Sequence, residues 1–166
     1  MIKSFKEYIK ESLLDKLKGV SEEDALKINP TKVLVYAFNN KNNELFNKAI
    51  EMGADINYGD GFLLKYNSTK GNLENVKFLV ENGADPNFSQ YISDVPIVGA
   101  ARNGHAEIVK YLLDNGACTD VYERDLKQAL TWAKSNIKLA ETSEKKQEYK
   151  KVIKYLEDFQ WGSDIF

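Results

Sequence analysis

The sequence GNLENVKFLVENGAD, at Gly71–Asp85, recurs as GHAEIVKYLLDNGAC at Gly104–Cys118. The two segments are offset by 33 residues, and their matched positions include a glycine, a valine, a leucine and a closing Gly-Ala pair. Within each segment the apolar residues keep the three- and four-residue spacing of a helix that is buried on one side. A fixed period of this length predicts stacked helical repeats rather than a compact enzyme fold.

The longer segment VPIVGAARNGHAEIVKYLLDNGAC, at Val95–Cys118, resembles an ankyrin repeat. The usual pattern of that family is T-P-L-H-x-A-A-x-x-G-H-x-x-x-V-x-x-L-L-x-x-G-A-D-x-N. The residues that match it in register are Pro96, Ala100, Ala101, Gly104, His105, Val109, Leu112, Leu113, Gly116 and Ala117. The resemblance implies an all-α fold, an ankyrin repeat solenoid of about four helix-turn-helix units with short hairpin finger loops.

The ankyrin-like pattern extends over residues 31–158, between an expected N-terminal helix and cap at 1–30 and a tail at 159–166. The expected repeat units are 31–60, 61–93, 94–124 and, as the C-terminal cap, 125–158. In the last unit the second helix arrives ten residues late, which predicts an extended helical hairpin. In the second unit Asn67 and Ser68 replace the usual alanine pair, so these side chains need hydrogen-bond partners if they are buried.

The N-terminal segment has two possible interpretations. Residues 4–18 place apolar side chains at four-residue intervals among charged ones, which predicts an amphipathic helix. The opening MIKSFKEYIKES resembles the capsid-targeting segment of proteins packaged in the heads of large tailed phages, and Ile9, Lys10 and Glu11 match its hydrophobic-x-Glu processing site. The alternative is a helix that shields one end of the repeat stack, since terminal repeats need a polar outer face.

Composition and charge indicate an ordinary soluble protein. The 166 residues have a formal net charge of −2 and include 43% hydrophobic residues. The sequence has no basic excess of the kind that nucleic-acid binding requires, and no apolar run approaches the roughly 20 residues of a membrane span. We therefore expect a monomer in the cytoplasm with neither a nucleic-acid nor a membrane partner. If the protein is viral, this means the host cytoplasm or the virion.

The sequence offers few groups for catalysis or metal binding. His105 is the single histidine and Cys118 the single cysteine, which supports neither a zinc site nor a Cys-His dyad. Gly59 and Gly61 lack the Lys-Ser/Thr that follows a phosphate-binding glycine loop. His105 occupies the family's Gly-His position, where a structural hydrogen bond is expected. The sequence therefore predicts no catalytic, metal or cofactor site, and no enzyme.

The ankyrin resemblance implies that a partner binds on the concave face formed by the finger loops and the first helix of each unit. Carrying that face over position by position predicts protein contacts at Tyr36, Tyr58, Tyr66, Lys70, Phe88, Gln90, Tyr91, Arg102, Asn103, Tyr122, Arg124 and Trp132. Aromatic residues and arginine are enriched among interface hot spots, and the second finger has two aromatics, Phe88 and Tyr91. The alternative for the finger aromatics Tyr58, Phe88 and Tyr122 is packing between adjacent fingers.

Two functional hypotheses follow. The first is a non-enzymatic protein-protein interaction module, a phage or viral ankyrin protein that binds and blocks a host protein. Its viral part depends on the N-terminal resemblance and on the basic residues, nearly all of which are lysine. Such a preference for lysine over arginine is typical of AT-rich genomes, such as those of many phages. The second hypothesis is an accessory or structural virion protein, packaged in the phage head through its N-terminal helix.

Overall fold

The computed structural model describes residues 21, 24, 27, 29–89, 95–117 and 123–162. In these residues the regular secondary structure is entirely helical, which confirms the expected all-α fold. The helices are α1 Pro30–Asn39, α2 Asn43–Glu51, α3 Tyr58–Lys70, α4 Leu73–Glu81, α5 Pro96–Arg102, α6 Ala106–Asp114, α7 Glu123–Asn136 and α8 Ser143–Gly162. The chain divides into two compact units between Tyr58 and Gly59. The predicted helix at residues 4–18 and the processing site at Ile9, Lys10 and Glu11 lie outside the described residues.

The first unit contains the helical pair α1 and α2, and asparagine caps the start of both helices. Asn29 Oδ1 accepts a hydrogen bond from the Lys32 amide at 2.9 Å, and Asn42 Oδ1 accepts one from the Leu45 amide at 3.0 Å. Such caps satisfy amides that have no partner in the first turn of a helix. The two helices bury a shared apolar core, whose fully buried members are Leu34, Ala37, Phe46 and Ala49.

The second unit contains three further helical pairs. We call α3, α5 and α7 the inner helices and α4, α6 and α8 the outer helices. The outer helices contact one another in order, α4 with α6 and α6 with α8, while α7 packs against α5. The core side chains of the outer helices are fully buried at Val76, Leu79, Val109, Leu112, Val152 and Leu156. Since a buried Val or Leu contributes roughly 1.5–3 kcal/mol, contacts between successive helical pairs supply much of the stability.

A left-handed turn opens the second unit. Gly59, Asp60 and Gly61 have φ values of 65°, 62° and 67°, which places all three residues in the left-handed region. Glycine adopts this conformation without strain, whereas Asp60 must be held there. Its carboxylate accepts a hydrogen bond from the Lys65 ammonium group, and both side chains are largely buried. The turn lies in the first part of α3, and this ion pair ties it to the later part of the same element, which carries Tyr66 and Lys70.

The last helical pair is longer than the others. α7 ends at Asn136, and α8 runs for 20 residues from Ser143, so the residues added to the repeat pattern extend the first half of α8. Tyr149, in that added half, donates a hydrogen bond from its hydroxyl to the Arg102 carbonyl at 2.9 Å. Lys134 of α7 and Glu157 of α8 form an ion pair at 2.7 Å. The added turns therefore bind α8 to the preceding inner helix α5, while its later part is paired with α7.

The two polar residues that replace the alanine pair of the second repeat have different environments. Asn67 is buried, but its Nδ2 donates to the Leu63 carbonyl at 2.8 Å. Its Oδ1 accepts hydrogen bonds from Asn72 at 3.1 Å and Asn75 at 2.9 Å. Ser68 is fully buried, and its hydroxyl has no hydrogen-bond partner within the described part of the chain. The first residue stabilises the turn between α3 and α4, whereas the second leaves a desolvated hydroxyl.

Ser68→Ala should raise the free energy of unfolding by about 1 kcal/mol, because it removes a buried hydroxyl whose desolvation is not offset by a hydrogen bond. Asn67→Ala should lower it by about 2 kcal/mol, because two neighbouring amides lose their acceptor. Urea denaturation followed by circular dichroism measures both changes. A loss of stability in Ser68→Ala as large as that in Asn67→Ala would contradict this assignment.

Candidate protein-binding surface

The structure describes nine of the twelve predicted contact residues. Tyr36 and Tyr58 lie in the first unit, where Tyr58 is 49% exposed. The other described members lie in the second unit, at Tyr66, Lys70, Phe88, Arg102, Asn103, Arg124 and Trp132. Gln90, Tyr91 and Tyr122 lie outside the described residues, so no contact is assigned to them. The surface considered below therefore belongs to the inner helices of the second unit.

The first cluster of this surface lies on α3. Phe62, Tyr66 and Lys70 are spaced four residues apart, which places them on one side of the helix. The rings of Phe62 and Tyr66 stack with centroids 5.5 Å apart and an interplanar angle of 20°. Lys70 Nζ lies 5.8 Å from the centroid of the Tyr66 ring. Tyr66 nevertheless remains 47% exposed, so this cluster presents both a ring and a cation to solvent.

The second cluster joins α5 to α7. The Arg102 guanidinium lies over the Trp132 ring, with Cζ 4.6 Å from the ring centroid. The Arg102 carbonyl accepts hydrogen bonds from Asn136 Nδ2 at 2.7 Å and from the Tyr149 hydroxyl at 2.9 Å. Carbonyls at the end of a helix lack intrahelical donors, so these bonds satisfy the end of α5. Backbone and side chain of Arg102 are thus both held by neighbouring helices.

The two aromatic positions are equivalent in the repeat. Tyr66, Gly99 and Trp132 are separated by 33 residues each, so the inner helices α3 and α7 carry a ring where α5 carries glycine. A Cβ atom at position 99 would lie 2.3 Å from Thr69 Oγ1, which shows how closely α3 and α5 approach there. Thr69 occupies the space that a side chain at position 99 would need. Because α3 and α5 approach closely, the two clusters lie on neighbouring helices.

Two predicted contact residues are already engaged within the fold. Asn103 ends α5, and its Nδ2 donates to the Gly99 carbonyl at 2.9 Å. The same bond to the fourth preceding carbonyl recurs at the ends of other helices, from Asn40, Asn82 and Asn115. Phe88 is half-buried, with its ring and backbone against Gly61. These contacts give both residues a structural role, which for Phe88 is packing against the neighbouring turn.

His105 links successive repeats. Its Nε2 lies 3.1 Å from the Thr69 carbonyl oxygen, which requires this nitrogen to carry the proton in the neutral ring. The ring also lies against Gly71, where a Cβ atom would approach it to 2.6 Å. Burial of the ring lowers the pKa of His105, and the positive charge of Lys145 lowers it further. The neutral form is therefore the one that the fold stabilises.

A cavity of about 530 Å³ lies at the turn between α7 and α8. Its lining residues are Asn136, Leu139, Ala140, Glu141, Thr142, Lys145 and Tyr149, none of which was a predicted contact. Among the described residues, no group of three or more His, Cys, Asp or Glu side chains could hold a metal ion. None of the described helices is both long and apolar enough to cross a membrane.

Stacked helical pairs whose inner helices present aromatic and basic residues are typical of helical repeat proteins that bind other proteins. The family model for ankyrin repeats, in three copies, matches residues 71–156, which is more than half of the chain. The chain belongs to the ankyrin repeat family. Domains of this family are typically non-enzymatic interaction modules.

A curated relative shares part of the sequence. The chain is 36% identical over 108 residues to the E3 ubiquitin-protein ligase Ufd4 of Drosophila melanogaster. The match covers 63% of this chain but only 4% of the ligase. The similarity is therefore to a small segment of a much larger protein.

The stability of the protein should depend on the protonation of His105. Because the folded state lowers the pKa of this ring, the unfolded chain takes up the proton first as the pH falls, and the free energy of unfolding decreases below the ordinary pKa of about 6.5. The contribution is fully present above that pH. Urea denaturation across this range measures the effect, with His105→Gln as the control that should lack it. An identical pH profile in both proteins would exclude a role for His105.

Proposed function

We propose that this chain is a non-enzymatic binding protein that captures a protein partner on the inner-helix face of its second unit. The observation that carries the proposal is the pair of aromatic-cation contacts on the inner helices, Tyr66 with Lys70 and Arg102 with Trp132. Large aromatic side chains and arginine contribute most of the free energy at protein interfaces. Here these residue types occur together on the inner helices α3, α5 and α7.

The clusters are already ordered before a partner binds, which supports the same proposal. Each side chain that an interface immobilises costs about 0.5–1.5 kcal/mol of conformational entropy. Tyr66 stacks on Phe62, and Arg102 stacks on Trp132, so part of this cost is met during folding. A preordered surface of this kind favours a specific partner over nonspecific adhesion.

We place the protein in a phage or other virus, where it binds and blocks a host protein as a monomer in the host cytoplasm. The resemblance of the N-terminal segment to phage capsid-targeting sequences and the scarcity of arginine support this setting. The match to Ufd4 covers only 4% of that ligase, so we propose no ligase activity for this chain.

The hydrophobic-x-Glu sequence at Ile9, Lys10 and Glu11 favours a second candidate, an accessory or structural virion protein carried in the phage head. Mass spectrometry of purified particles separates the two candidates. A mature chain beginning after Glu11 supports packaging, whereas absence from particles supports action on a host protein.

Tyr66→Ala combined with Trp132→Ala should abolish capture of the partner from a host lysate. Each truncation removes a hot-spot ring worth about 2 kcal/mol, so the pair should weaken binding by more than a hundredfold. Affinity capture followed by quantitative mass spectrometry provides the measurement. The matched control is Tyr111→Ala, which removes an aromatic residue from the outer helix α6.

Equal capture by the double variant and the unmodified protein would contradict the proposal. Because Trp132 is half-buried, circular dichroism must show that the double variant remains helical. If it unfolds, Tyr66→Ala alone provides the test, since that ring is 47% exposed.

A further inference from the structure

The inner helices of the second unit expose charges of one sign wherever their side chains are described. Among the inner-helix residues whose side chains are described, every exposed charged residue is basic: Lys70, Arg102, Arg124, Lys127 and Lys134. The acidic ones are not exposed. Asp60 pairs with Lys65 and is largely buried, and the Asp125 side chain is buried.

The outer helices instead carry both signs, since their exposed lysines are Lys77, Lys110, Lys146, Lys150, Lys151 and Lys154. Their exposed carboxylates include Glu74 and Glu81 on α4, Glu107 and Asp114 on α6, and Glu144 on α8. The chain as a whole has a formal net charge of −2, so the basic inner helices do not reflect a basic protein. A face whose charge opposes that of the whole chain selects the charge of what binds there.

Arg102 has the geometry of a carboxylate anchor. Its guanidinium lies over the Trp132 ring, with Cζ 4.6 Å from the ring centroid, and no ion pair joins it to a carboxylate within the described residues. Stacking covers the flat face of a guanidinium and leaves the N–H groups at its edge able to donate, two at a time, to a carboxylate. The hydrogen bonds from Asn136 and Tyr149 to the Arg102 carbonyl fix the helix end from which this side chain extends.

Lys70 repeats the arrangement one helix away. Its ammonium group lies over the Tyr66 ring, and it too has no ion pair with a carboxylate in the described part of the chain. A ring behind the cation excludes water from one side of it, which strengthens its attraction for an anion. Both cations occupy the last turns of their helices, where the helix dipole alone would favour them. That effect explains their position but not their pairing with aromatic rings.

We propose that the inner-helix face binds an acidic peptide segment of the partner protein, with Arg102 holding one carboxylate and Lys70 another. The inference rests on the proposed function and names the chemistry of the partner. Charge complementarity supports a carboxylate-rich peptide, as does the planar guanidinium of Arg102, whose edge can donate to both oxygens of one carboxylate. A nucleic-acid strand would be expected on a more strongly basic protein than one with a net charge of −2.

Selection of a random 12-residue peptide library on the full chain tests the proposal. The recovered peptides should be enriched in Asp and Glu relative to the starting library. With the best of these peptides as the probe, fluorescence anisotropy should show that Arg102→Glu and Lys70→Glu each weaken binding at least about tenfold. Arg102→Lys should also weaken it, because the charge remains but the planar fork is lost.

Lys77→Glu is the matched control. Lys77 is an exposed cation that also lies 5.8 Å from the centroid of a tyrosine ring, that of Tyr111, but both residues belong to outer helices. This variant should bind the peptide within about twofold of the unmodified chain, which separates contact at the inner helices from the effect of net charge. Circular dichroism verifies the fold of each variant. If Arg102→Glu unfolds, Lys70→Glu is compared with the control instead, because Lys70 is exposed.

The outcomes distinguish this inference from the proposed function. Peptides without acidic enrichment that bind Arg102→Glu normally, but not Tyr66→Ala, would overturn the inference and leave protein binding intact. Two results together would count against both the inference and the proposed function. These are a selection that enriches no peptide, and equal lysate capture by the unmodified protein and the double variant Tyr66→Ala, Trp132→Ala. A labelled 12-nucleotide oligothymidine is the second probe. If it binds more tightly than the acidic peptides and responds to Arg102→Glu, the face recognises phosphate and the inference is wrong.

Discussion

The fold of the second unit depends on the burial of one apolar side of each outer helix against the next. Val76, Val109 and Val152 are fully buried in successive outer helices, so each helical pair completes the core of its neighbour. Such a stack has no single centre, and its stability is a sum of contacts between adjacent pairs. The 20-residue α8 closes the series, because its buried side covers α6 while its other side is charged.

Polar contacts then set the position of one repeat relative to the next, and they are concentrated where the inner helices end. His105 reaches the Thr69 carbonyl at the end of α3, and Tyr149 reaches the Arg102 carbonyl at the end of α5. The basic residues that we assign to partner binding lie in the same last turns. The contacts that hold the repeats together therefore also position Lys70 and Arg102, so the fold itself orders the surface that we propose for binding.

The repeated residues made the fold predictable from sequence, because a 33-residue period with helical spacing admits few other folds. Tyr66 and Trp132 were predicted as contacts from the variable positions of the ankyrin pattern, and their contact with a partner stays a prediction. The pairing of Arg102 with Trp132 was not predictable, because it depends on the packing of α7 against α5 and involves residues far apart in sequence. Tyr149 was also missed, because it belongs to added residues that have no counterpart in the repeat. For Asn103 a signal of its structural role existed in the asparagines that recur at helix ends, where the amide donates to its own helix.

The central claim is that the inner helices, not the outer ones, form the binding surface. Hydrogen-deuterium exchange of the full chain, with and without its captured partner, tests this claim most directly. The account predicts that the partner slows amide exchange in peptides from Gly59–Lys70, Pro96–Asn103 and Glu123–Asn136, with little change in α4 and α6. Slower exchange confined to the outer helices or to the turn between α7 and α8 would contradict it.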